Sequence, residues 1–385
     1  MMAGVPQSEY TDRVSRARSL MAQHGIDCLL VTDPISFTYF SGQNAPVRMK
    51  LRPSVFVLPL SGDPAIITWA GPQMFSRVYN RPYPSWVEDR HIYPEMPFNG
   101  DASVDYGIRS VLEDRKIANG VLAIELGALT WLGLPVSDFM RLQRDLPNAS
   151  FVESGPVIWG CRLIKSEWEI DAARQACAIG GRGWKRALAE LRAGHTGADL
   201  QKKILGYYHE EGADLTSNPP LTLGATGEGG AFQKGDVLYL DGGCSFMGYE
   251  MDYTRRAVFG PPTDRQRKEH DTMWEILGKL MERMKPGATM AELFDYSQSL
   301  LAKTEFHNYS DHPAKRIGHG IGLETEPPSM NAFDPTVLAE GMTLTPEPKI
   351  ESVDGLVNPE EHVVIRANGC EILSTDPGWE LVIIE

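Results

Sequence analysis

The sequence has few cysteines, no long hydrophobic run and no excess of positive charge. Its 385 residues include only five cysteines, widely spaced and without a Cys-x-x-Cys pair. An odd number of scattered cysteines is typical of reduced thiols in the cytosol and argues against a disulfide framework. No run of about 18 apolar residues occurs, and the N-terminal segment MMAGVPQSEYTDRV lacks the apolar stretch of a signal peptide. We therefore predict a cytoplasmic protein with no membrane partner.

The balance of charges excludes a further class of partner. Lysine and arginine number 37 against 51 acidic residues, which gives a net charge of −14. A nucleic-acid partner is disfavoured, because the affinity of such proteins comes from clustered lysine and arginine. The hydrophobic content of 42% and the charged content of 23% are ordinary for a globular protein. A chain of this length predicts two or three domains.

The pattern of apolar residues divides the chain near residues 153–165. Before this joint, helical and strand patterns alternate, beginning with a helix over 10–24 that Gly25 should end and a buried strand over 28–31. We predict an α/β domain over residues 1–155. After the joint, helical patterns cover 167–192, 197–212, 264–284 and 289–304, and strands and turns fill most of the remainder. We predict an α+β domain over residues 156–385, with helices packed on a mostly antiparallel sheet.

Five side chains of the second domain predict a metal site. Four are carboxylates, one is an imidazole, and none is a soft sulfur ligand: Asp241, Asp252, His319, Glu347 and Glu361. This donor set suits two hard or borderline divalent ions. Two such ions about 3.5–4 Å apart can clamp and acidify one water, which is the central requirement of a hydrolase.

The two aspartates lie in a predicted hairpin over residues 236–260. If Phe246 and Met247 form its loop, Ser245 pairs with Gly248 and Asp241 lies directly opposite Asp252, on the same face. Two carboxylates in that position repel each other unless a cation lies between them. Phe-Met is poor turn chemistry, so this register is a hypothesis, and a surface hairpin with two solvated acids is the alternative.

The other three ligands lie in segments that should hold them still. His319 has glycine neighbours in Gly-His-Gly-Ile-Gly at 318–322, which permit unusual dihedrals and close backbone approach. Glu347 lies between two prolines, directly after a predicted strand. Glu361 begins another predicted strand, and a hairpin turn at 368–369 connects that strand to the next one. Each of these residues alone could be a structural histidine or an exposed strand end, and together they predict metal ligands.

These motifs resemble the creatinase, aminopeptidase P and prolidase family, whose catalytic domain is called the pita-bread fold. The matching segments are DGG at 241–243, GYEMDYTR at 248–255, GHGIGLE at 318–324, LTPEP at 344–348 and EEHVVI at 360–365. The segment at 25–42 is similar to that family's first domain, and the segment at 161–176 to its entry into the catalytic domain. The resemblance implies a creatinase-like α/β N-terminal domain followed by an α+β pita-bread domain.

The resemblance also implies roles for the five ligands. Asp241 would bind one metal and Asp252 would bridge two, while His319 and Glu347 would serve the second metal and Glu361 would bridge. Glu347 would also be the catalytic base that takes the proton of the attacking water. The implied cofactors are two divalent ions per chain, manganese, cobalt, zinc or iron. A homodimer is implied by analogy.

The sequence departs from the family's peptidases around the predicted metal site. Those enzymes usually carry two further histidines that contact substrate, but the corresponding segments at 221–236 and 324–328 contain none. An arginine that often lies two residues before the last metal glutamate is replaced by Pro359. Loss of one donor to a developing oxyanion typically costs about 10²–10³ in rate. The substitutes that we predict are His312 and Tyr249 as catalytic groups, and Arg255, Glu326 and Arg48 as substrate-binding groups.

Three functions are compatible with these residues. The first is a two-metal hydrolase of C–N bonds, for which an Xaa-Pro dipeptidase or aminopeptidase is the family's commonest activity. The second is a hydrolase or lyase derived from this family that acts on a small creatine-, ectoine- or betaine-like metabolite, which the missing histidines favour. The third is a pita-bread binding module without catalysis, whose signature would be a broken set of ligands.

Overall fold

The computed structural model describes residues 5–43, 52–80, 82–95, 106–214, 221–224, 230–306 and 315–385. The chain forms two compact units, Met1–Arg162 and Leu163–Glu385. The sequence pattern placed the boundary after residue 155, at the start of a helix over Gly155–Arg162. This helix packs on the first helix of the chain, where Arg16 Nη1 donates to Cys161 O at 2.8 Å, so it is part of the first unit.

The first unit is an α/β domain, as the sequence predicts. Its helices are α1 Gln7–His24, α2 Pro34–Ser41, α3 Gly71–Val78, α4 Ile108–Asp114, α5 Val136–Asp145 and α6 Gly155–Arg162. Its strands are β1 Cys28–Val31, β2 Val55–Pro59, β3 Ala65–Trp69, β4 Asp89–Tyr93, β5 Val121–Ile124 and β6 Ser150–Glu153. They form one mixed sheet in the order β4-β3-β2-β1-β5-β6, in which the β2 pairings are antiparallel and the others parallel.

The local signals of the first helix and strand agree with the structure. Helix α1 buries Val14, Ala17 and Met21, which share one face at helical spacing. It ends at Gly25, whose φ of 64° is the left-handed conformation that glycine adopts without strain. Strand β1 is central in the sheet and all four of its residues are buried, which explains its continuous apolar run.

A buried carboxylate joins two loops of this domain. Glu125 follows strand β5, and its Oε1 accepts hydrogen bonds from Thr32 N at 2.8 Å and Asp33 N at 3.1 Å, while its Oε2 accepts one from Thr32 Oγ1 at 2.7 Å. Burial raises the pKa of Glu125 to about 7 against these hydrogen bonds, which lower it. The domain therefore carries one carboxyl group that titrates near neutrality.

We expect Glu125→Gln to remove a pH-dependent loss of stability. The pKa of Glu125 rises from 4.5 to about 7 on folding, so the unfolded chain releases a proton that the folded domain keeps between these pH values, and stability falls as pH rises through that window. The variant should match the parent near pH 4.5 and exceed it by about 3 kcal/mol near pH 8. Urea denaturation at both pH values measures this. Glu88→Gln, which alters a side chain that is 91% exposed, is the control. Equal pH dependence in parent and Glu125→Gln would contradict the assignment.

The second unit is the predicted α+β domain. Its helices are α7 Glu167–Glu190, α8 Gly197–Glu210, α9 Asp264–Met281 and α10 Met290–Leu301. Its strands are β7 Leu221–Gly224, β8 Val237–Asp241, β9 Ser245–Phe246, β10 Tyr249–Glu250, β11 Arg255–Phe259, β12 Gly318–Ile321, β13 Thr325–Ser329, β14 Thr343–Pro346, β15 Ile350–Ser352, β16 Gly355–Val357, β17 Val363–Arg366, β18 Gly369–Ile372 and β19 Val382–Ile384.

The four helices that the structure describes in this domain all begin with a capping box. In each, a serine or threonine side chain accepts from the backbone N–H three residues later, and the side chain at that later position accepts from the backbone N–H of the cap. The pairs are Ser166 with Glu169, Thr196 with Asp199, Thr263 with Gln266, and Thr289 with Glu292. These pairs fix where each helix begins, close to the positions that the periodicity predicts.

Two sheets bring the predicted ligands together. One has the order β19-β11-β8-β7 and the other β13-β12-β14-β17-β18; all their pairings are antiparallel except that of β11 with β19. An antiparallel bridge between Thr254 and Glu360 links the segment before β11 to the segment before β17. The candidate metal centre lies at this junction.

All five cysteines are unpaired. No helix in the described ranges combines the length and the apolar character needed to cross a bilayer.

Candidate metal centre

The hairpin that carries the two aspartates has a different register from the predicted one. Ser245 pairs with Glu250 and Phe246 with Tyr249, so the loop is Met247–Gly248. Both loop residues have positive φ, 51° and 82°, as a type I′ turn requires. The predicted register was therefore wrong by two residues, and Asp241 does not lie opposite Asp252. Because side chains alternate with a period of two, this shift keeps the predicted face of each residue.

A slot lined by glycines fixes the segment just before Asp252. Met251 is 1% exposed and donates its N–H to Cys244 O at 2.9 Å. A Cβ on Gly180 of helix α7 would lie 1.8 Å from Met251 Sδ, and a Cβ on Gly243 would lie 2.1 Å from Met251 Cγ. A Cβ at either glycine would therefore displace the buried side chain of Met251, the residue that precedes Asp252.

His319 lies on strand β12 between β13 and β14, next to a bulge at Gly320. A Cβ on Gly320 would lie 2.3 Å from Pro327 O, and one on Gly318 would lie 2.8 Å from Thr345 O, so the glycines allow the close backbone approach that the sequence predicts. His319 Nδ1 lies 2.9 Å from Gly320 O, a contact that places the proton on Nδ1. Its Nε2 is then the unprotonated nitrogen, and it lies 3.1 Å from Thr345 Oγ1 and 3.5 Å from Asp252 Oδ2.

Glu347 is held at the end of strand β14 by contacts on one side of its carboxylate. Its N–H donates to Ile317 O at 2.8 Å. Its Oε2 lies 2.5 Å from Lys349 Nζ and accepts from Asn358 Nδ2 at 3.2 Å. Its Oε1 has no hydrogen-bond donor in the described chain, and Arg316 Nε lies 3.7 Å away. One oxygen of a nearly buried carboxylate is thus left for a ligand.

The structure brings Glu360, and not the predicted Glu361, into the cluster. Ligand atoms of Asp252, His319 and Glu360 all lie within 4.8 Å of one another. Glu360 is 1% exposed and its Oε2 has no hydrogen-bond partner among the described residues. Consecutive residues of an extended segment direct their side chains to opposite faces, so only one of these two glutamates can face the aspartates.

Glu361 faces a different set of partners. Its Oε1 lies 3.0 Å from Arg255 Nη2, and its carboxylate also accepts hydrogen bonds from Trp379 Nε1 and Ser374 Oγ. Both the guanidinium and the carboxylate are almost fully buried. This is a satisfied structural ion pair, which leaves no carboxylate oxygen of Glu361 for a metal. The structure therefore corrects the position of the last ligand from 361 to 360.

The electrostatics of the cluster indicate a missing positive charge. Burial raises the pKa of Asp252, with smaller contributions from the charges of Asp241 and Glu347. Burial also raises the pKa of Asp241 and of Glu360, and the charge of Glu347 adds to both shifts. Burial lowers the pKa of His319. Buried carboxylates that repel one another are costly unless a cation pairs with them.

The donor set fits a divalent metal. Its atoms are carboxylate oxygens and one imidazole nitrogen, which hard and borderline ions prefer. Two of the oxygens, on Glu347 and Glu360, are buried without a hydrogen-bond donor in the described parts of the chain. Lys349 and Arg316 pair with Glu347, and their charges lower the pKa of Asp241, Glu360 and Asp252, but burial outweighs them at all three carboxyls.

A hydrogen-bond network that sequence reasoning missed supports two of the ligands. Tyr239 donates from its hydroxyl to Asp241 Oδ2 at 2.9 Å, and Asn358 Nδ2 donates to Tyr239 Oη at 2.7 Å as well as to Glu347. Tyr239 lies two residues before Asp241 on strand β8, and Asn358 two residues before Glu360. If Glu360 is the last ligand, the residue two positions before it is Asn358 and not Pro359, so Asn358 takes the place of the arginine that the family's peptidases often carry there. The shared i, i+2 spacing is a signal that could have identified both residues.

Three of the substrate-binding and catalytic substitutes predicted from sequence make contacts within the protein. Tyr249 donates from its hydroxyl to Glu169 Oε1 at 2.5 Å, on helix α7. Arg255 is used by Glu361 and by backbone carbonyls, including Pro377 O at 2.6 Å. Glu326 forms a buried ion pair with Lys165 at 2.8 Å. His312 and Arg48 lie outside the described residues.

Both domains match known protein families. The profile of the creatinase/prolidase N-terminal domain matches residues 13–164, and that of metallopeptidase family M24 matches residues 171–369. An Xaa-Pro dipeptidase of Pyrococcus horikoshii is 26% identical over 94% of this chain and 97% of its own length. An ectoine hydrolase of Halomonas elongata is 25% identical over 96% of each chain.

Solved structures share the fold. An Xaa-Pro dipeptidase from Bacillus anthracis superimposes with a TM-score of 0.81 at 22% identity, covering 97% of this chain and 99% of that one. Dipeptidase PepE from Mycobacterium ulcerans gives a TM-score of 0.80 at 23% identity, with 99% of both chains covered. The predicted two-domain, pita-bread architecture is confirmed. The chain therefore belongs to metallopeptidase family M24, as a metal-dependent peptidase with a creatinase/prolidase N-terminal domain.

Proposed function

We propose that this enzyme is an Xaa-Pro dipeptidase or aminopeptidase that uses two divalent ions. The observation that carries the proposal is the buried cluster of Asp252, His319 and Glu360, whose ligand atoms lie within 4.8 Å of one another. The charges of Asp241 and Glu347 add to the raised pKa of Asp252 and Glu360, and one oxygen each of Glu347 and Glu360 has no hydrogen-bond donor in the described residues. Relatives that align over nearly the whole chain are named Xaa-Pro dipeptidases. Four carboxylates match the charge of two divalent ions, which supports a count of two.

The proposed ligands are Asp241, Asp252, His319, Glu347 and Glu360. When bound, the ions would supply Lewis acidity, which polarises the scissile carbonyl and lowers the pKa of the attacking water. Asp252, His319 and Glu360, whose ligand atoms lie within 4.8 Å of one another, would hold the ions together with Asp241 and Glu347. The Nδ1 contact of His319 with Gly320 O fixes the imidazole so that Nε2 faces Asp252.

Glu347 is the proposed general base. A base must lie within hydrogen-bond reach of the proton it takes and of the group that later receives it. Lys349 and Asn358 hold its Oε2, while Oε1 has no hydrogen-bond donor among the described residues. Glu347 would take a proton from the attacking water and deliver it to the leaving proline nitrogen. Asn358 would position Glu347 through this bond.

The finer points of the proposal remain predictions. The identity of the metal depends on geometry and availability, and oxygen-rich sites accept several divalent ions. A peptide substrate, a homodimer and a cytoplasmic location are what we predict for this chain, and its five unpaired cysteines are compatible with the last.

A turnover panel tests the proposed function. Metal-stripped protein would be reconstituted with manganese, cobalt or zinc and assayed on Xaa-Pro dipeptides, longer Xaa-Pro peptides, creatine and ectoine-like compounds. We expect metal-dependent cleavage of an Xaa-Pro bond, with two ions per chain by elemental analysis, and loss of turnover on chelation. Silence on every peptide with two ions bound would contradict the peptidase proposal.

One observation favours a second candidate function, the hydrolysis of a small metabolite, which the same panel tests. Neither segment in which the family's peptidases usually carry a substrate-contacting histidine contains one, and an ectoine hydrolase is among the relatives that align along the whole chain. Turnover of an ectoine-like compound without peptide cleavage would assign the same metal centre to a small metabolite.

A further inference from the structure

The second domain has a cavity of about 460 Å³ whose lining includes none of the proposed metal ligands. This volume is within the range of sites that bind small molecules. Helix α9 forms one wall of the cavity, and the segment just before strand β19 forms the other. The polar and aromatic residues of the lining are Arg267, His270, Asp271, Trp274, Trp379 and Glu380. The cavity therefore combines charged and aromatic groups at a place distinct from the metal centre.

The wall before β19 is fixed by two hydrogen bonds of Trp379. Its carbonyl oxygen accepts from His270 Nε2 at 2.8 Å. Its indole N–H donates to the carboxylate of Glu361, which is buried. The cavity thus has its shape before a ligand binds, and a pre-formed site costs less ordering on binding than a mobile one.

A stacked pair of tryptophans gives the cavity an apolar surface. The ring centroids of Trp274 and Trp379 lie 5.2 Å apart, with an interplanar angle of 17°. Trp274 is 7% exposed, whereas Trp379 is 39% exposed. Trp274 therefore covers one face of the Trp379 indole, and the exposed part of that indole is available to a ligand. A flat aromatic surface of this kind binds apolar rings and chains.

Charges of both signs line the same cavity. Arg267 supplies a guanidinium, Asp271 and Glu380 supply carboxylates, and all three residues are exposed. Arg267 and Asp271 are four residues apart on α9, a spacing at which opposite charges often pair. Neither they nor Glu380 form an ion pair with any residue that the structure describes. All three charges are therefore available to a ligand.

Other charged residues of the same helix do have partners. Arg265 Nε lies 2.9 Å from Glu269 Oε1, and Lys279 Nζ lies 2.5 Å from Glu275 Oε1. Both pairs have the spacing that separates Arg267 from Asp271. The missing pair at the cavity is thus not a general property of this helix.

A ligand that complements the cavity carries one positive charge, one negative charge and an apolar part. A carboxylate can pair bidentately with the guanidinium of Arg267, and an ammonium can pair with Asp271 and Glu380. An anion alone would face two carboxylates, and a cation alone would leave the guanidinium without a partner. A free amino acid with an apolar side chain meets all three requirements within one small molecule.

We propose that this cavity binds a free amino acid with an apolar side chain. Its α-carboxylate pairs with Arg267, its α-ammonium with Asp271 and Glu380, and its side chain packs on Trp379. The proposal goes beyond the peptidase activity and does not depend on it, because none of these residues is a proposed metal ligand. Proline represents the ligand class well, since its ammonium is part of an apolar ring.

Three related ligands test the proposal. L-Proline carries both charges, L-prolinamide lacks the carboxylate, and N-acetyl-L-proline lacks the ammonium. Each would be titrated into metal-loaded protein by calorimetry. We expect the parent to bind proline about three- to fivefold more tightly than either derivative, which is the range that an exposed ion pair supports.

Matched variants assign each preference to its charge. Arg267→Gln should bind proline and prolinamide equally, and the double variant Asp271→Asn/Glu380→Gln should bind proline and N-acetylproline equally. Lys268→Gln and Glu275→Gln are the controls, because they remove exposed charges of α9 that do not line the cavity. Both controls should keep both preferences.

Proline is also a product of the proposed reaction, so the metal centre is a second candidate site for it. The same titrations are therefore made with Glu360→Gln, which should lack the metal, and both preferences should persist there. Binding that Glu360→Gln loses and Arg267→Gln keeps would place proline at the metal centre and overturn the cavity site. Equal binding of all three ligands by the parent, or no binding of proline, would overturn it as well. Silence of the enzyme on every peptide leaves these binding results unaffected, so the failures of the two proposals are distinguishable.

Discussion

Glu360→Gln is expected to abolish metal-dependent turnover, whereas Glu361→Gln is expected to keep the bound metal. The amide of glutamine has the size of the carboxylate but no charge, so the first change would remove a proposed metal ligand from the cluster. A metal contributes several kcal/mol to such a reaction, and each 1.4 kcal/mol corresponds to about a factor of ten in rate. The loss should therefore be on the order of 10³-fold or more.

The second change acts on stability and not on the metal. Glu361 is bound by Arg255, Ser374 and Trp379, so its neutralisation leaves the Arg255 guanidinium buried without its counter-charge. We expect a lower midpoint of urea denaturation with two ions still bound.

The measurements for this pair are metal content, turnover and urea denaturation on the same preparations. Asp252→Ala is the reference for complete loss, because Asp252 is a proposed ligand under either assignment; it should lose both metal and activity while keeping its circular dichroism spectrum. Retained turnover in Asp252→Ala would refute the metal mechanism. Loss of metal in Glu361→Gln, with metal retained in Glu360→Gln, would restore the assignment that the sequence first indicated.

Arg255→Met is expected to lower the free energy of unfolding by about 3–5 kcal/mol, the typical cost of removing one partner of a buried ion pair. Arg255 donates to Thr254 O at 2.7 Å, Ser374 O at 2.9 Å and Pro377 O at 2.6 Å, in addition to pairing with Glu361. Its loss would leave a buried carboxylate and several carbonyls without their donor. A guanidinium held in this way has no free donors to offer a substrate.

The double variant Arg255→Met/Glu361→Gln separates the charge from the hydrogen bonds. It should recover part of the stability, because the unpaired carboxylate is gone, but not all of it, because the carbonyls remain unsatisfied. Urea denaturation of metal-free protein measures both variants. Lys279→Met, which breaks an exposed ion pair with Glu275 on helix α9, should change stability by less than about 1 kcal/mol. A similarly small effect of Arg255→Met would mean that Arg255 is available for substrate.

The two errors of sequence reasoning at this site have one physical cause. The alternation of apolar and polar residues along a strand shows which side chains are buried only when one face of the sheet is exposed to solvent. In strand β17, Val363, Val364 and Ile365 are all 0% exposed, so no alternation shows which of the two preceding glutamates faces the aspartates. The choice of Glu361 over Glu360 could not be settled by that pattern.

The hairpin register failed for a related reason. Residues near the tip at Met247–Gly248 are buried or half-buried on both strands, so the apolar pattern gives no register. Gly248 was the residue that could have indicated the register. Its positive φ makes it one of the two central residues of the turn, whereas the predicted register made it the first residue of the following strand. The chemical types of the ligands and the chain segments that carry them were predictable, because both depend on composition and on local turn chemistry. The capping boxes made the helix starts predictable for the same reason.

The glycine slot around Met251 links the centre to a helix that carries none of its ligands. Gly180 lies within helix α7, and a side chain there would have to displace the buried thioether of Met251, the residue before Asp252. Selection for catalysis should therefore act on a position of α7 that contacts neither metal nor substrate.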